Sequence, residues 1–79
     1  MSNLEKYQQA FRNALVLDGD VDFESLAYQG SDTWDSVGHM SLVAEIEEAF
    51  DIMMEMDDII DLESYVVGID ILKKYGIVV

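Results

Sequence analysis

Ser36 and His39 are the residues whose types and spacing come nearest to catalytic chemistry: a hydroxyl nucleophile and an imidazole base, three residues apart. A working hydrolase also needs a group to orient the base, donors for an oxyanion and a pocket for substrate. Two residues one turn apart on a short helix have no such orienting shell, so catalysis is not expected. Asp18, Asp20 and Asp22 match the first three ligand positions of a calcium loop. Phe23 stands where its sharp turn needs glycine, and Gln29 where its bidentate glutamate belongs. No specific metal site is therefore expected. The chain contains no cysteine, which excludes disulfides and thiolate metal sites and means that thiol chemistry must come from an added group. A serine at a helix start holds its hydroxyl at the edge of the domain, and the ordinary role of Asp35 or Ser36 there is a plain helix N-cap.

The elements that position these residues follow from periodicity. Ser2 and Glu5 have capping-box spacing, and Leu4, Tyr7, Phe11, Ala14 and Leu15 form the stripe of a helix of about four turns. Asp18 to Trp34 has no sustained period and reads as a long loop pinned by Phe23, Leu26 and Tyr28. Ser36 to Phe50 reads as an amphipathic helix, Asp51 to Met56 as a connector and Asp57 to Leu62 as a short third helix. Tyr65 or Val66, Ile69 and Leu72 mark a last helix, with Lys73 and Lys74 in its final turn and Gly76 as its stop. The sum is an all-α, irregular four-helix bundle in a single domain, 1–79.

The second helix carries two apolar sectors when laid out at about 100° per residue. Leu42, Val43, Ile46, Ala49 and Phe50 form a broad one assigned to the core. Val37, Met40 and Ala44 form another on the side of Ser36. The second sector either packs on the first loop or stays exposed as a docking strip, flanked by the carboxylates of Glu45, Glu47 and Glu48.

The run from Trp34 to Phe50 resembles the acyl carrier proteins. Asp35-Ser36-Val37 resembles their Asp-Ser-Leu signature, and Leu42-Val43, Glu47-Glu48 and Phe50-Asp51 fall where that family places such residues. The likeness extends over the whole chain in length, helix order and charge. It implies an acyl-carrier-like bundle with a long first loop and a short third helix. It also implies a covalent 4′-phosphopantetheine arm from coenzyme A on Ser36, with Asp35 and Val37 as the attachment motif. The chain would then be a non-catalytic carrier of acyl thioesters for fatty acid, specialised lipid, polysaccharide or secondary-metabolite synthesis. The implied partners are a phosphopantetheinyl transferase and acyl-transfer, ligase or synthase enzymes with basic docking surfaces. They would meet Val37, Met40, Ala44, Glu45, Glu47 and Glu48. Gly38 and Ser41 depart from the family, which commonly has acidic residues there, so a dedicated pathway fits at least as well as housekeeping fatty acid synthesis. Gly38 would let a partner backbone approach closely, and His39 would lie within reach of the arm's phosphate, although a lone exposed histidine is more often incidental. Peptidyl carriers are the alternative, although they favour Gly-Gly-His/Asp-Ser before the modified serine where this chain has Thr33-Trp34-Asp35-Ser36. A start at Met1 suggests a free-standing carrier.

Charge narrows the partners. There are 17 acidic and 4 basic residues. No Lys or Arg lies between Arg12 and Lys73, whereas every acidic residue except Glu5 does. Such a field repels nucleic-acid phosphates and anionic membranes and attracts basic protein surfaces. A hydrophobic content of 51% is too high for a disordered acidic tail. No apolar run approaches the roughly 18 residues of a membrane span, and no basic-then-apolar leader is present. The expectation is a cytoplasmic monomer that does not insert into membranes. The rival reading is an acidic helical adaptor that binds proteins and carries nothing.

Overall fold

The computed structural model describes residues 2–30 and 33–79; Ser31 and Asp32 of the expected loop lie outside them. Four α-helices account for the architecture, and no strand occurs among the described residues. The chain is an all-α small bundle, and no helix is long and apolar enough to cross a membrane.

Helix α1 runs Asn3–Leu15. The Ser2 hydroxyl accepts from the Glu5 N–H while the Glu5 carboxylate reaches back to Ser2, so the expected capping box is present. Tyr7, Ala10, Phe11 and Leu15 turn inward, whereas Leu4, expected on the stripe, is exposed in the first turn. The helix stops at Val16, which adopts the left-handed conformation (φ 54°) and returns its N–H to the Arg12 carbonyl.

The first loop is long but tied down. A 3₁₀ turn, Phe23–Ser25, drives Phe23 into the core, and Leu26 and Tyr28 pack against it. Ala27 and Ser64 form an isolated antiparallel bridge, in which the Tyr28 N–H donates to Glu63 O (2.7 Å) and the Tyr65 N–H to Leu26 O (3.1 Å). Trp34, at the end of the loop, is fully buried. Its ring meets Phe11 edge-on, at 5.4 Å between centroids.

Helix α2 spans Ser36–Phe50, α3 Met56–Asp61 and α4 Tyr65–Lys73. The bounds of α2 are those its periodicity predicts, and α3 begins one residue earlier than predicted. In α4 the inward residues are Tyr65, Gly68, Ile71 and Leu72. Tyr65 and Leu72 of the predicted stripe are buried, but Val66 is exposed and Ile69 only half-buried, and Gly68 and Ile71 take the inward places between them. Gly68 is the reason: the Tyr7 phenol lies against it and donates to the Tyr65 carbonyl at 2.6 Å. Any Cβ at position 68 would collide with that hydroxyl. The core is a cluster of aromatic rings from α1, the first loop and α4, extended by Leu42, Val43 and Ile46 from α2.

Candidate functional site

Asp35 caps α2, its carboxylate accepting from the Gly38 N–H at 2.8 Å. The carboxylate thus takes a free amide of the first turn, where the helix dipole favours negative charge. Ser36 follows as the first helical residue and is exposed to solvent. A hydroxyl of the first loop stands beside it: Tyr28 Oη lies 3.3 Å from Ser36 Oγ. Sequence reasoning placed Tyr28 only as a loop anchor. Nothing in the linear spacing of the two residues signals that contact, which depends on the loop folding back through its bridge to Ser64.

His39 does not serve Ser36. Its Nδ1 accepts from the buried Trp34 indole N–H at 3.0 Å, and Nε2 lies 2.8 Å from the Ile59 carbonyl. Because Nδ1 accepts, the proton sits on Nε2, and the ring is a neutral imidazole that donates to Ile59. Both nitrogens are spent joining loop, α2 and α3. The imidazole is therefore a half-buried strut rather than an incidental exposed histidine, and neither nitrogen is free to serve Ser36 as a base. Gly38 is corrected in the same way. It is buried, and a Cβ there would fall on the Thr33 carbonyl oxygen of this chain's own loop. The close approach is internal rather than with a partner.

The two sectors of α2 separate in the bundle. Leu42, Val43 and Ile46 are buried, with Ala49 and Phe50 half-buried beside them. Val37 is 76% and Met40 57% exposed, and Ala44 is exposed as well. The second sector therefore faces solvent instead of packing on the first loop. Among the flanking carboxylates Glu48 is fully exposed and Glu45 half-buried toward α1, where it lines a shallow groove with Lys6 and Asn13. Glu47 is engaged elsewhere, accepting from the Met54 N–H at 2.8 Å and so fixing the connector after α2. Met53, Met56 and Ile60, on that connector and α3, are also exposed, an apolar surface the sequence reading did not assign. The Ile59 carbonyl held by His39 brings the α3 end of that surface to the first turns of α2.

Other chemistry-bearing groups lie apart from Ser36. Asp18, Asp20 and Asp22 are exposed. No three metal-ligating side chains come together among the described residues. Asp58 is buried at the bundle's other junction, where it accepts from Tyr75 Oη (2.5 Å) and Lys74 Nζ (2.9 Å). Those two hydrogen bonds, Tyr75's the larger, hold its carboxyl below the usual range and raise Tyr75 and Lys74 in return. A groove of about 620 Å³ between α1, the 3₁₀ turn and α4 contains none of the predicted site residues. Among the described residues, the Ser36 region offers an accessible hydroxyl beside an apolar, acidic helix face, with no base assembled on it. No family model matches the chain, and neither does any curated protein or solved structure.

Proposed function

We propose that this chain is an acyl-carrier-like protein that bears 4′-phosphopantetheine on Ser36 and presents acyl groups to enzymes without catalysing their reactions. The observation that carries this reading is the exposure of Ser36 in the first turn of α2, directly beside the exposed strip of Val37, Met40 and Ala44. The residues present fit the group. Ser36 Oγ is open to solvent, and Asp35 already occupies the Gly38 amide. A phosphodiester on Oγ is thereby directed outward rather than into the helix end. When bound, the arm supplies the thiol that a chain without cysteine lacks.

Attachment balances simply. Ser36 Oγ loses its proton and bonds to the phosphorus that carries pantetheine in coenzyme A. The pyrophosphate P–O bond breaks, and adenosine bisphosphate leaves. The base for that step belongs to the transferase, because His39 is committed to Trp34 and Ile59. The exposed strip and Glu48 suit transient contacts with apolar, basic partner surfaces, since opposite charge speeds encounter more than it tightens binding. Both fatty acid and specialised acyl pathways fit this arrangement.

The test is incubation of the unmodified protein with coenzyme A and a broad-specificity phosphopantetheinyl transferase, followed by peptide mass spectrometry. The expected result is one arm, on Ser36, and none on a folded Ser36→Ala variant. No modification under conditions that load a control carrier would reject the carrier reading in favour of an acidic adaptor. Attachment at another serine would reject the site.

A further inference from the structure

The carrier reading leaves a question of charge at Ser36: a phosphodiester there adds an anion to a stretch with no Lys or Arg between Arg12 and Lys73. The N–H that a helix start would offer at Gly38 is already taken by Asp35. A different donor stands beside the hydroxyl. Tyr28 Oη is 3.3 Å from Ser36 Oγ, and the residue is held from several sides. Its N–H donates to Glu63 O (2.7 Å), and the next residue, Gln29, donates to Trp34 O (2.8 Å). Its ring lies 5.1 Å, centroid to centroid, from the imidazole of His39. That imidazole is in turn fixed by Trp34 and the Ile59 carbonyl.

We propose that Tyr28 is a positioning residue for the group on Ser36, its phenol O–H donating a hydrogen bond to the phosphate. In the unmodified protein either hydroxyl can donate. Once Oγ is esterified it has no proton, so the pair persists only with Tyr28 as donor. A donor that reaches Oγ also reaches the oxygens on the phosphorus bonded to it. Tyr28 thus supplies a neutral hydrogen bond where the flanking sequence supplies no Lys or Arg, and it fixes the root of the arm at the junction of loop and α2. The Trp34–His39 pair acts through Tyr28 by seating its ring. The inference rests on the carrier reading for its natural ligand, but the contact itself is testable without it.

Phosphoserine encoded at position 36 of the full chain gives a phosphate without any transferase, and its ³¹P signal is followed through pH. Its second ionisation lies near pH 6 in general, and a donor to the dianion lowers it. In Tyr28→Phe, which keeps the ring against His39, the midpoint should rise by about half a unit, the shift produced when the hydrogen bond favours the dianion over the monoanion by ~0.7 kcal/mol. Melting temperature and the Trp34 indole N–H resonance should be unchanged, since the seat is intact. In the transferase-loaded protein the ³¹P resonance of the diester should also move on Tyr28→Phe. Equal midpoints in the two phosphoserine proteins would overturn the role of Tyr28 while leaving the carrier reading standing. A raised midpoint in a chain that no transferase modifies would uphold the Tyr28 contact and reject the carrier.

Discussion

Gly38 sits where the loop and α2 touch, and the Thr33 carbonyl occupies the space a methyl group would need. Gly38→Ala should therefore destabilise the protein despite the higher helix propensity of alanine. Overpacking commonly costs about 1–3 kcal/mol, more than the ~1 kcal/mol that propensity returns. Chemical denaturation checks the sign, and a more stable variant would show that the loop yields. Asp58 makes a prediction in pH. Its folded-state carboxyl is held low by Tyr75 and Lys74, so its contribution to stability is present above the ordinary carboxylate range. That contribution is lost as pH falls through the lowered value. The stability gap between wild type and Asp58→Asn should be full near neutrality and close on acidification. Paired urea melts across pH measure it, and comparing the two proteins cancels the relief of repulsion among the other carboxylates.

At the scale of the element, α2 has one face in the core and another in water. Met40→Glu or Ala44→Asp should leave melting nearly unchanged, because surface substitutions usually cost little. Ile46→Ala should destabilise by roughly 2–5 kcal/mol, since the side chain is buried. If the strip meets the modifying enzyme, the two surface variants should slow loading of Ser36 even though they add negative charge. Glu48→Lys should slow it too, and most at low salt, because that charge acts through steering. Transferase kinetics beside thermal melting separates the two faces. Unaltered loading in folded Met40→Glu would move the partner surface off this strip, and the exposed Met53, Met56 and Ile60 would be next to probe. Glu47→Gln is the contrasting change: its carboxylate holds the Met54 N–H, so its effect belongs to the connector between α2 and α3.

The whole molecule carries a formal charge of −13 on 79 residues. Its cations sit at the ends of the sequence and are partly spent there. Arg12 donates to Gly19 O and lies over the Phe23 ring, Lys74 pairs with Asp58, and Lys73 makes an exposed pair with Asp70. Self-repulsion should therefore limit stability near neutral pH. Added salt, or millimolar magnesium or calcium, should raise the melting temperature by screening or loosely neutralising the carboxylates. Calorimetry across salt concentrations tests this, and a melting temperature indifferent to ions would mean that the charges are already well separated.

Helices α1 and α2 are legible in local signals: the Ser2–Glu5 box, the Asp35 cap, and the 3.6-residue repeat that gives α2 its bounds and its two faces. Ser36 is singled out through the resemblance of Asp35-Ser36-Val37 and the helix after it to a carrier signature, whereas a hydroxyl at a helix start is by itself an ordinary cap. Tertiary structure decided what depends on neighbours remote in sequence. Gly68 turns inward because Tyr7 needs its space, and Asp58 is buried because Lys74 and Tyr75 come to it. His39 looked like an idle or phosphate-facing imidazole until Trp34 and the Ile59 carbonyl closed on its two nitrogens. Tyr28 reaches Ser36 only because the loop pairs with the start of α4. Periodicity records which face of a helix is apolar, but hydrogen-bond partners across a fold are fixed by where the chain returns, and no local pattern carries that.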